Sequence, residues 1–120
     1  MLHERHTFPK SERLQYGWQF RQVLESGRCC RGRLLVVYSL RAAQEPRRVG
    51  IVSSRRVGNA VARNRARRLL REAYRLHKHQ LLDHTQLVMI ARAAIAKSKF
   101  REVEAEMLAL WRAADVLAPV

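Results

Sequence analysis

The segment from residue 55 to residue 71 constrains the fold of this chain more than any other part of it. Its apolar residues recur with a helical period, and most of the positions between them are arginines. On a helix that turns by about 100° per residue, one side carries Ala62, Ala66, Leu69, Leu70, Ala73, Leu76 and His77. The pattern therefore predicts a helix that packs this side on a hydrophobic core.

The opposite side of the same helix is cationic. We call it the arginine stripe; it holds Asn64, Arg67, Arg68, Arg71, Arg75 and Lys78, with Arg63 and Arg65 on its flanks. A solvated helix face usually mixes charge signs, because like charges four residues apart destabilise a helix. Here arginines repeat every four residues, the nearby acid Glu72 lies off the stripe, and planar guanidinium groups suit bidentate contact with phosphate. We interpret the stripe as a polyanion-binding surface rather than a solvated face.

Length and charge narrow the classes of function. The 120 residues are enough for one hydrophobic core but not for two, so we expect a single domain over 1–120 with a flexible basic arm at 1–13. The net charge of +14 favours nucleic acid as the partner. An anionic membrane is the competing partner, but no apolar run approaches the roughly 18–20 residues of a spanning helix. Residues 1–6 lack the apolar segment of a signal peptide, so we expect a cytoplasmic protein.

The polar residues show no catalytic or metal-binding pattern. Cys29 and Cys30 are adjacent and lack metal-ligand spacing, which favours free thiols in a reducing compartment. The five histidines are scattered, and the ten acidic residues form no cluster suited to a two-metal nuclease. No arrangement of a nucleophile and a base stands out. We therefore expect neither a catalytic residue nor a metal ligand in the chain.

The order of predicted elements indicates one sheet packed by helices. Gly27 ends the first helix, and residues 42–47 form a connection of hairpin length. In chain order the elements are a helix over 15–26, strands over 34–40 and 48–53, the arginine helix from its N-cap Asn59 to about residue 82, a strand over 86–92, and a helix capped by Ser98. This α-β-β-α-β-α order predicts an α/β (α+β) sandwich.

The run Arg63-Asn64-Arg65, with Val57-Gly58-Asn59-Ala60-Val61 before it and 67–72 after it, closely resembles the protein subunit of bacterial ribonuclease P. The resemblance runs in order from about residue 14 to residue 111. It implies a protein that binds a large catalytic RNA, in a complex that removes the 5′ leader of precursor tRNA. It further implies that the RNA holds the Mg²⁺ ions and does the chemistry, and that the arginine helix lies in a left-handed βαβ crossover.

The resemblance also implies two sets of binding residues. RNA contacts fall on Arg55, Arg56, Asn59, Arg63, Asn64, Arg65, Arg67, Arg68, Arg71 and Arg75. A cleft between the first helix and the sheet, which we call the leader cleft, holds the single-stranded leader through Phe20, Leu24 and Tyr38. Leu24 stands where the family often has a second Phe, and Trp18 lies just outside the matched positions. Aromatic side chains suit this role because unpaired bases stack on them.

Three other interpretations remain open from the sequence. The leader-cleft residues could be ordinary core between a helix and a sheet. The whole chain could be a non-catalytic ribosomal or RNA-chaperone protein of similar fold, although such a protein would not explain the aromatic cleft beside the arginine run. A DNA-binding protein is less favoured, because the chain lacks a paired short helix typical of helix-turn-helix domains.

Overall fold

A computed structural model describes residues 8–119 and contains one four-stranded sheet with three α-helices. The elements in chain order are α1 (Gly17–Ser26), β1 (Arg28–Arg31), β2 (Leu35–Arg41), β3 (Arg48–Val52), α2 (Ala60–His77), β4 (Thr85–Ala91) and α3 (Phe100–Ala113). Short 3-10 helices lie at Lys10–Glu12, Arg55–Val57, Lys78–Gln80 and Ala93–Lys97. The predicted sandwich of helices on one sheet is confirmed.

The strand order differs from the one that the sequence suggests. The strands lie in the order β1-β2-β4-β3, with β4 antiparallel to β2 and parallel to β3. The predicted hairpin between β2 and β3 is wrong, because β4 lies between them. Instead β2 forms a hairpin with β1, an exposed edge strand that the sequence pattern does not predict.

The arginine helix α2 begins where the sequence predicts and ends earlier. The Asn59 side chain accepts a hydrogen bond from the backbone N–H of Ala62 at 3.0 Å, so Asn59 is the N-cap. The helix ends at His77 rather than near residue 82, and the chain continues as a 3-10 helix. Since α2 joins the parallel neighbours β3 and β4, it forms a βαβ crossover. The left-handed sense of this crossover stays a prediction.

The cap predicted for the last helix is wrong. The N-cap of α3 is Lys99, whose backbone N–H donates to Glu102 Oε1 at 2.9 Å. Ser98 precedes the cap, and its hydroxyl donates to the carbonyl oxygen of Ile95 at 2.7 Å. Ser98 therefore closes the preceding 3-10 helix rather than opening α3.

The two faces of the sheet are packed to different extents. Helices α2 and α3 cover one face, where the core includes Leu35, Val37, Leu87, Met89, Leu70, Met107 and Trp111. Helix α1 covers part of the other face through a smaller cluster of Leu14, Val23 and Val88. Five further side chains of that cluster are only half-buried, namely Phe20, Tyr38, Leu40, Val52 and Ile90. This second face therefore keeps apolar surface within reach of a ligand.

The N-terminal segment before α1 packs against the end of α2. Residues 1–7 of the predicted arm lie outside the described residues. Within residues 8–13, the centroids of the Phe8 and Tyr74 rings are 5.2 Å apart. The Glu12 carboxylate accepts a hydrogen bond from Nζ of the buried Lys78 at 2.9 Å. Lys78 thus leaves the arginine stripe and ties the N-terminal segment to the domain.

Candidate nucleic-acid interface

Helix α2 presents the predicted apolar and cationic sides, but several of its side chains are buried to a different extent than predicted. Ala66, Leu70, Ala73 and Tyr74 are its buried residues. Four residues predicted on the core side are only half-buried, namely Ala62, Leu69, Leu76 and His77. Tyr74, which the predicted apolar side omits, is fully buried, and burial raises the pKa of its hydroxyl above the ordinary value.

Several side chains around the arginine stripe have partners within the protein. Arg65 donates through its guanidinium to the backbone carbonyl of Ser98 at 2.6 Å, and to those of Ile95 and Ala96 at 3.4 Å. Arg67 donates to the side-chain oxygen of Asn64. Arg65 therefore fixes the 3-10 segment before α3, in addition to any contact with RNA.

The C-terminal end of the stripe is partly neutralised. Arg75 Nε donates to Glu72 Oε2 at 3.1 Å. This hydrogen bond from Arg75 lowers the pKa of Glu72, so the carboxylate stays charged. Glu72 lies off the stripe by helical position, but its side chain reaches Arg75 at the end of the stripe. Among the residues that the structure describes, Arg68 and Arg71 have no hydrogen-bond or ion-pair partner, which leaves their charge available to a ligand.

The turn before α2 exposes further cations. Arg55 and Arg56 lie in a 3-10 helix that Ser54 opens, since its side chain accepts from the backbone N–H of Arg56 at 3.3 Å. Gly58 follows with a φ of 139° and a ψ of −151°, a conformation that residues with a Cβ rarely adopt. Arg63 donates back to the Gly58 carbonyl at 3.2 Å, which joins this turn to the helix.

The structure brings two of the three predicted leader-cleft residues into one cluster. Phe20 from α1 and Tyr38 from β2 both belong to the half-buried cluster on the α1 face. Leu24 lies outside that cluster and is exposed, as is Trp18. The core interpretation holds only in part for Phe20 and Tyr38, because both residues are only half-buried.

The environment of each cleft ring is tightly defined. A Cβ on Gly50 would lie 2.3 Å from Phe20 Cε1, so the Phe20 ring rests directly on the backbone of β3. Tyr38 lies opposite Cys29 in the pairing of β1 with β2. Hydrogen bonding with the Cys29 thiol raises the pKa of the Tyr38 hydroxyl.

The open part of the same sheet face forms a groove of about 730 Å³ beyond α1. Val36 and Ile90 contribute apolar surface, and the cationic residues along it are Arg31, Arg33, Arg56 and Arg92. Arg92 donates to the Gly32 carbonyl at 2.9 Å, which holds it against the hairpin between β1 and β2. Sequence reasoning missed Arg31, Arg33 and Arg92. Arg31 ends β1, Arg33 lies in the turn before β2 and Arg92 directly follows β4, and no local sequence signal brings the three together.

The carboxylates of the described residues do not form a metal site. Across residues 8–119, no three His, Cys, Asp or Glu side chains group together as metal ligands. Glu106 instead accepts backbone hydrogen bonds from Arg33, Leu34 and Leu35 at 2.7–3.0 Å. Glu104 bonds to His77 at 2.7 Å. Glu104 and Glu106 of α3 thus hold neighbouring segments of the domain together. None of the described helices is both long and apolar enough to span a membrane.

An arginine-bearing helix on one face of the sheet and an aromatic cleft on the other define a small α/β sandwich protein of the nucleic-acid-binding class. Comparison with known proteins gives the family. The family model described as Ribonuclease P matches residues 8–115. The chain belongs to the ribonuclease P protein family.

Relatives and solved structures agree with this assignment. The ribonuclease P protein component of Syntrophomonas wolfei is 33% identical over 109 residues, which cover 91% of this chain and 92% of the relative. That of Dictyoglomus turgidum is 35% identical over 113 residues, covering 92% and 94%. The RNase P protein structure from Staphylococcus aureus has a TM-score of 0.81 at 26% identity, covering 91% of this chain and all of that one. The Thermotoga maritima structure has a TM-score of 0.74 at 27% identity, covering 84% and 96%.

Proposed function

We propose that this chain, as a single domain, is the RNA-binding subunit of ribonuclease P, the ribonucleoprotein endoribonuclease that removes the 5′ leader from precursor tRNA. One observation carries the proposal. The arginine stripe and the half-exposed aromatic pair Phe20 and Tyr38 lie on separate faces of the domain, so two RNA ligands can bind together. The family does not favour the alternative of a ribosomal or RNA-chaperone protein.

The catalytic RNA binds α2. Arg68 and Arg71 supply positive charge there without an intramolecular partner among the described residues. Each guanidinium that neutralises a phosphate releases a counterion, which makes this contact favourable and dependent on salt. Arg65 and Arg75 add charge at the edges, while their own hydrogen bonds set their positions.

The single-stranded leader of precursor tRNA binds the face that α1 partly covers. Phe20 and Tyr38 offer ring surface to unpaired bases. From there, the leader follows the groove toward Arg31, Arg56 and Arg92, whose guanidinium groups contact its phosphates. This division assigns Arg56 to the precursor and the stripe of α2 to the catalytic RNA.

The chemistry belongs to the RNA partner. Glu12, Glu104 and Glu106 are engaged in structural contacts, and across residues 8–119 no three His, Cys, Asp or Glu side chains group together to fit a magnesium centre. The Mg²⁺ that the enzyme requires is held mainly through RNA, and this chain contributes binding and orientation. The cytoplasm suits the free thiols of Cys29 and Cys30, because it keeps cysteines reduced.

Substitution of the aromatic pair tests the role of the leader cleft. In enzyme reconstituted with a bacterial ribonuclease P RNA, Phe20→Ala or Tyr38→Ala should weaken binding of leader-bearing precursor tRNA by about 5- to 100-fold, the value of one stacked base. Affinity for leaderless tRNA should stay unchanged. Trp18→Ala is the matched control, because Trp18 is an exposed aromatic of α1 outside the cluster.

Circular dichroism of each variant separates lost binding from lost structure. A folded Phe20→Ala variant that loses affinity equally for both tRNAs would contradict the leader-cleft role. A Trp18→Ala variant that loses as much as Phe20→Ala would place the cleft elsewhere on α1.

A further inference from the structure

A second groove lies away from the leader cleft, between the N-terminal half of α2 and the start of α3. Its volume is about 740 Å³, and its apolar surface comes from Val61, Leu69 and Phe100. Val61 is 77% exposed, the highest value among the large apolar side chains of the described residues. The exposure of Val61 is explained neither by packing in the core nor by a place in the arginine stripe.

The rim of this groove is polar and belongs to α2. Asn64 and Arg68 lie one helical turn apart along the rim. Arg65 lies four residues after Val61 and four residues before Leu69, so the three residues lie on the same side of α2. Arg67 donates to the side-chain oxygen of Asn64, which leaves the Asn64 amide nitrogen as a donor. Arg65 holds the wall of the groove through its bonds to the carbonyls before α3.

We propose that this groove binds one unpaired nucleobase of the catalytic RNA, stacked on the Phe100 ring with its phosphate at Arg68. The inference rests on the proposed function and adds a subsite to it. A base has apolar faces and a polar edge, and the groove offers an apolar floor beside an amide donor and a guanidinium. Its volume lies in the range of small-molecule sites, roughly 300–1,000 Å³.

Charge selects RNA over the other occupants of such a groove. A second copy of this chain would bring another net charge of +14 against the arginines of the rim. The one acid on the lining, Glu72, is already hydrogen-bonded to Arg75, so it neither attracts a cationic partner strongly nor repels a phosphate strongly. A nucleotide satisfies both the apolar floor and the cationic rim.

Two variants of the first turn of α2 test this subsite. Val61→Glu and Ala60→Glu each add one carboxylate to an exposed position at the helix N-terminus, where the helix dipole favours negative charge. Both change the net charge equally, but only residue 61 lines the groove. Val61→Glu should bind a bacterial ribonuclease P RNA about 5- to 100-fold more weakly than Ala60→Glu does.

Chemical footprinting of that RNA with base-specific reagents identifies the occupant. Wild type and Ala60→Glu should protect the same unpaired nucleotide, which should become reactive with Val61→Glu. Phe100→Leu keeps an apolar side chain but removes the ring, so it should also expose this nucleotide while circular dichroism shows a folded protein.

The outcomes separate this inference from the proposed function. Equal affinities and equal footprints for Val61→Glu and Ala60→Glu, at wild-type levels of RNA binding, overturn the subsite and leave the proposed function standing. A wild-type dimer that Val61→Glu disrupts without changing any footprint assigns the groove to a second copy and overturns the subsite as well. Failure of the wild type to bind the RNA overturns the proposed function and this inference together.

Discussion

Substituting Gly50 by alanine should displace the Phe20 ring from the leader cleft. The added Cβ would lie 2.3 Å from Phe20 Cε1 and 2.6 Å from its Cζ. Carbon atoms in contact prefer a separation of about 3.5–4.0 Å, so the ring must withdraw by more than ~1 Å. Overpacking of this kind costs about 1–3 kcal/mol of unfolding free energy. Replacing glycine by alanine in a strand otherwise stabilises a protein by about 0.5–1 kcal/mol. Because the clash costs more than this gain, Gly50→Ala should lower the unfolding free energy of the wild-type protein.

The sign of the Gly50→Ala effect should reverse when the ring is absent. In a Phe20→Ala background the new Cβ meets no ring, and Gly50→Ala should stabilise the protein by about 0.5–1 kcal/mol. Urea unfolding of the wild type, both single variants and the double variant measures the two effects. Gly50→Ala should also weaken binding of leader-bearing precursor tRNA in the reconstituted enzyme, with leaderless tRNA as the control. If Gly50→Ala changes the unfolding free energy in the same direction in both backgrounds, the contact between Phe20 and the β3 backbone is not the cause of the change.

Three further predictions concern α2 and the RNA. Arg68→Ala and Arg71→Ala should each weaken binding of the catalytic RNA while the melting temperature of the protein stays unchanged. Each should also lower the slope of log affinity against log salt by about 0.7–0.9. Arg75→Ala should lower that slope less, because the Arg75 guanidinium is already ion-paired. Leu70→Ala should cost about 2–5 kcal/mol of unfolding free energy because Leu70 is fully buried. Leu69→Ala should cost less, and the reverse order in urea unfolding would contradict this assignment. Adding the protein should lower the Mg²⁺ concentration at which the catalytic RNA cleaves at half its maximal rate, because bound arginines replace part of the counterion atmosphere of the RNA. An unchanged midpoint in a magnesium titration would contradict this prediction.

The helices were accessible from sequence because their signals are local. The alternation of arginines with Ala66, Leu70 and Ala73 defines the two sides of α2 without reference to the rest of the chain. The Asn59 cap is local for the same reason. Alternation in β2 likewise places Tyr38 on the face opposite to Val37, and the two residues do belong to different clusters.

The elements that sequence reasoning missed depend on distant parts of the chain. Strand β1 has the sequence Arg28-Cys29-Cys30-Arg31, which shows no apolar alternation, and pairing with β2 supplies its order. No short-range signal shows that β4 inserts between β2 and β3. The hydrogen bonds of Arg65 likewise depend on carbonyls more than thirty residues away, at Ala96 and Ser98.

Part of the candidate site could be predicted from the sequence, and part depends on the folded structure. Phe20 and Tyr38 could be selected from the sequence through the family resemblance, and the structure places them in one cluster. The cations of the neighbouring groove include Arg31, which ends β1, and Arg92, which follows β4, and the two residues lie far apart in the chain. Their common location follows from the strand order, so only the folded sheet reveals them.

The segment 54–71 connects the two proposed RNA surfaces directly. It leaves the sheet at the groove, where Ser54 and Arg56 line the cationic end, and continues into the arginine stripe of α2. Between them the backbone is fixed by the positive φ of Gly58, by the Asn59 cap and by the bond from Arg63 to the Gly58 carbonyl. A rigid connection sets the position of a bound leader relative to a bound catalytic RNA, and such orientation is a contribution to rate that needs no catalytic side chain. In the proposed complex, this chain would contribute by orienting the leader relative to the catalytic RNA.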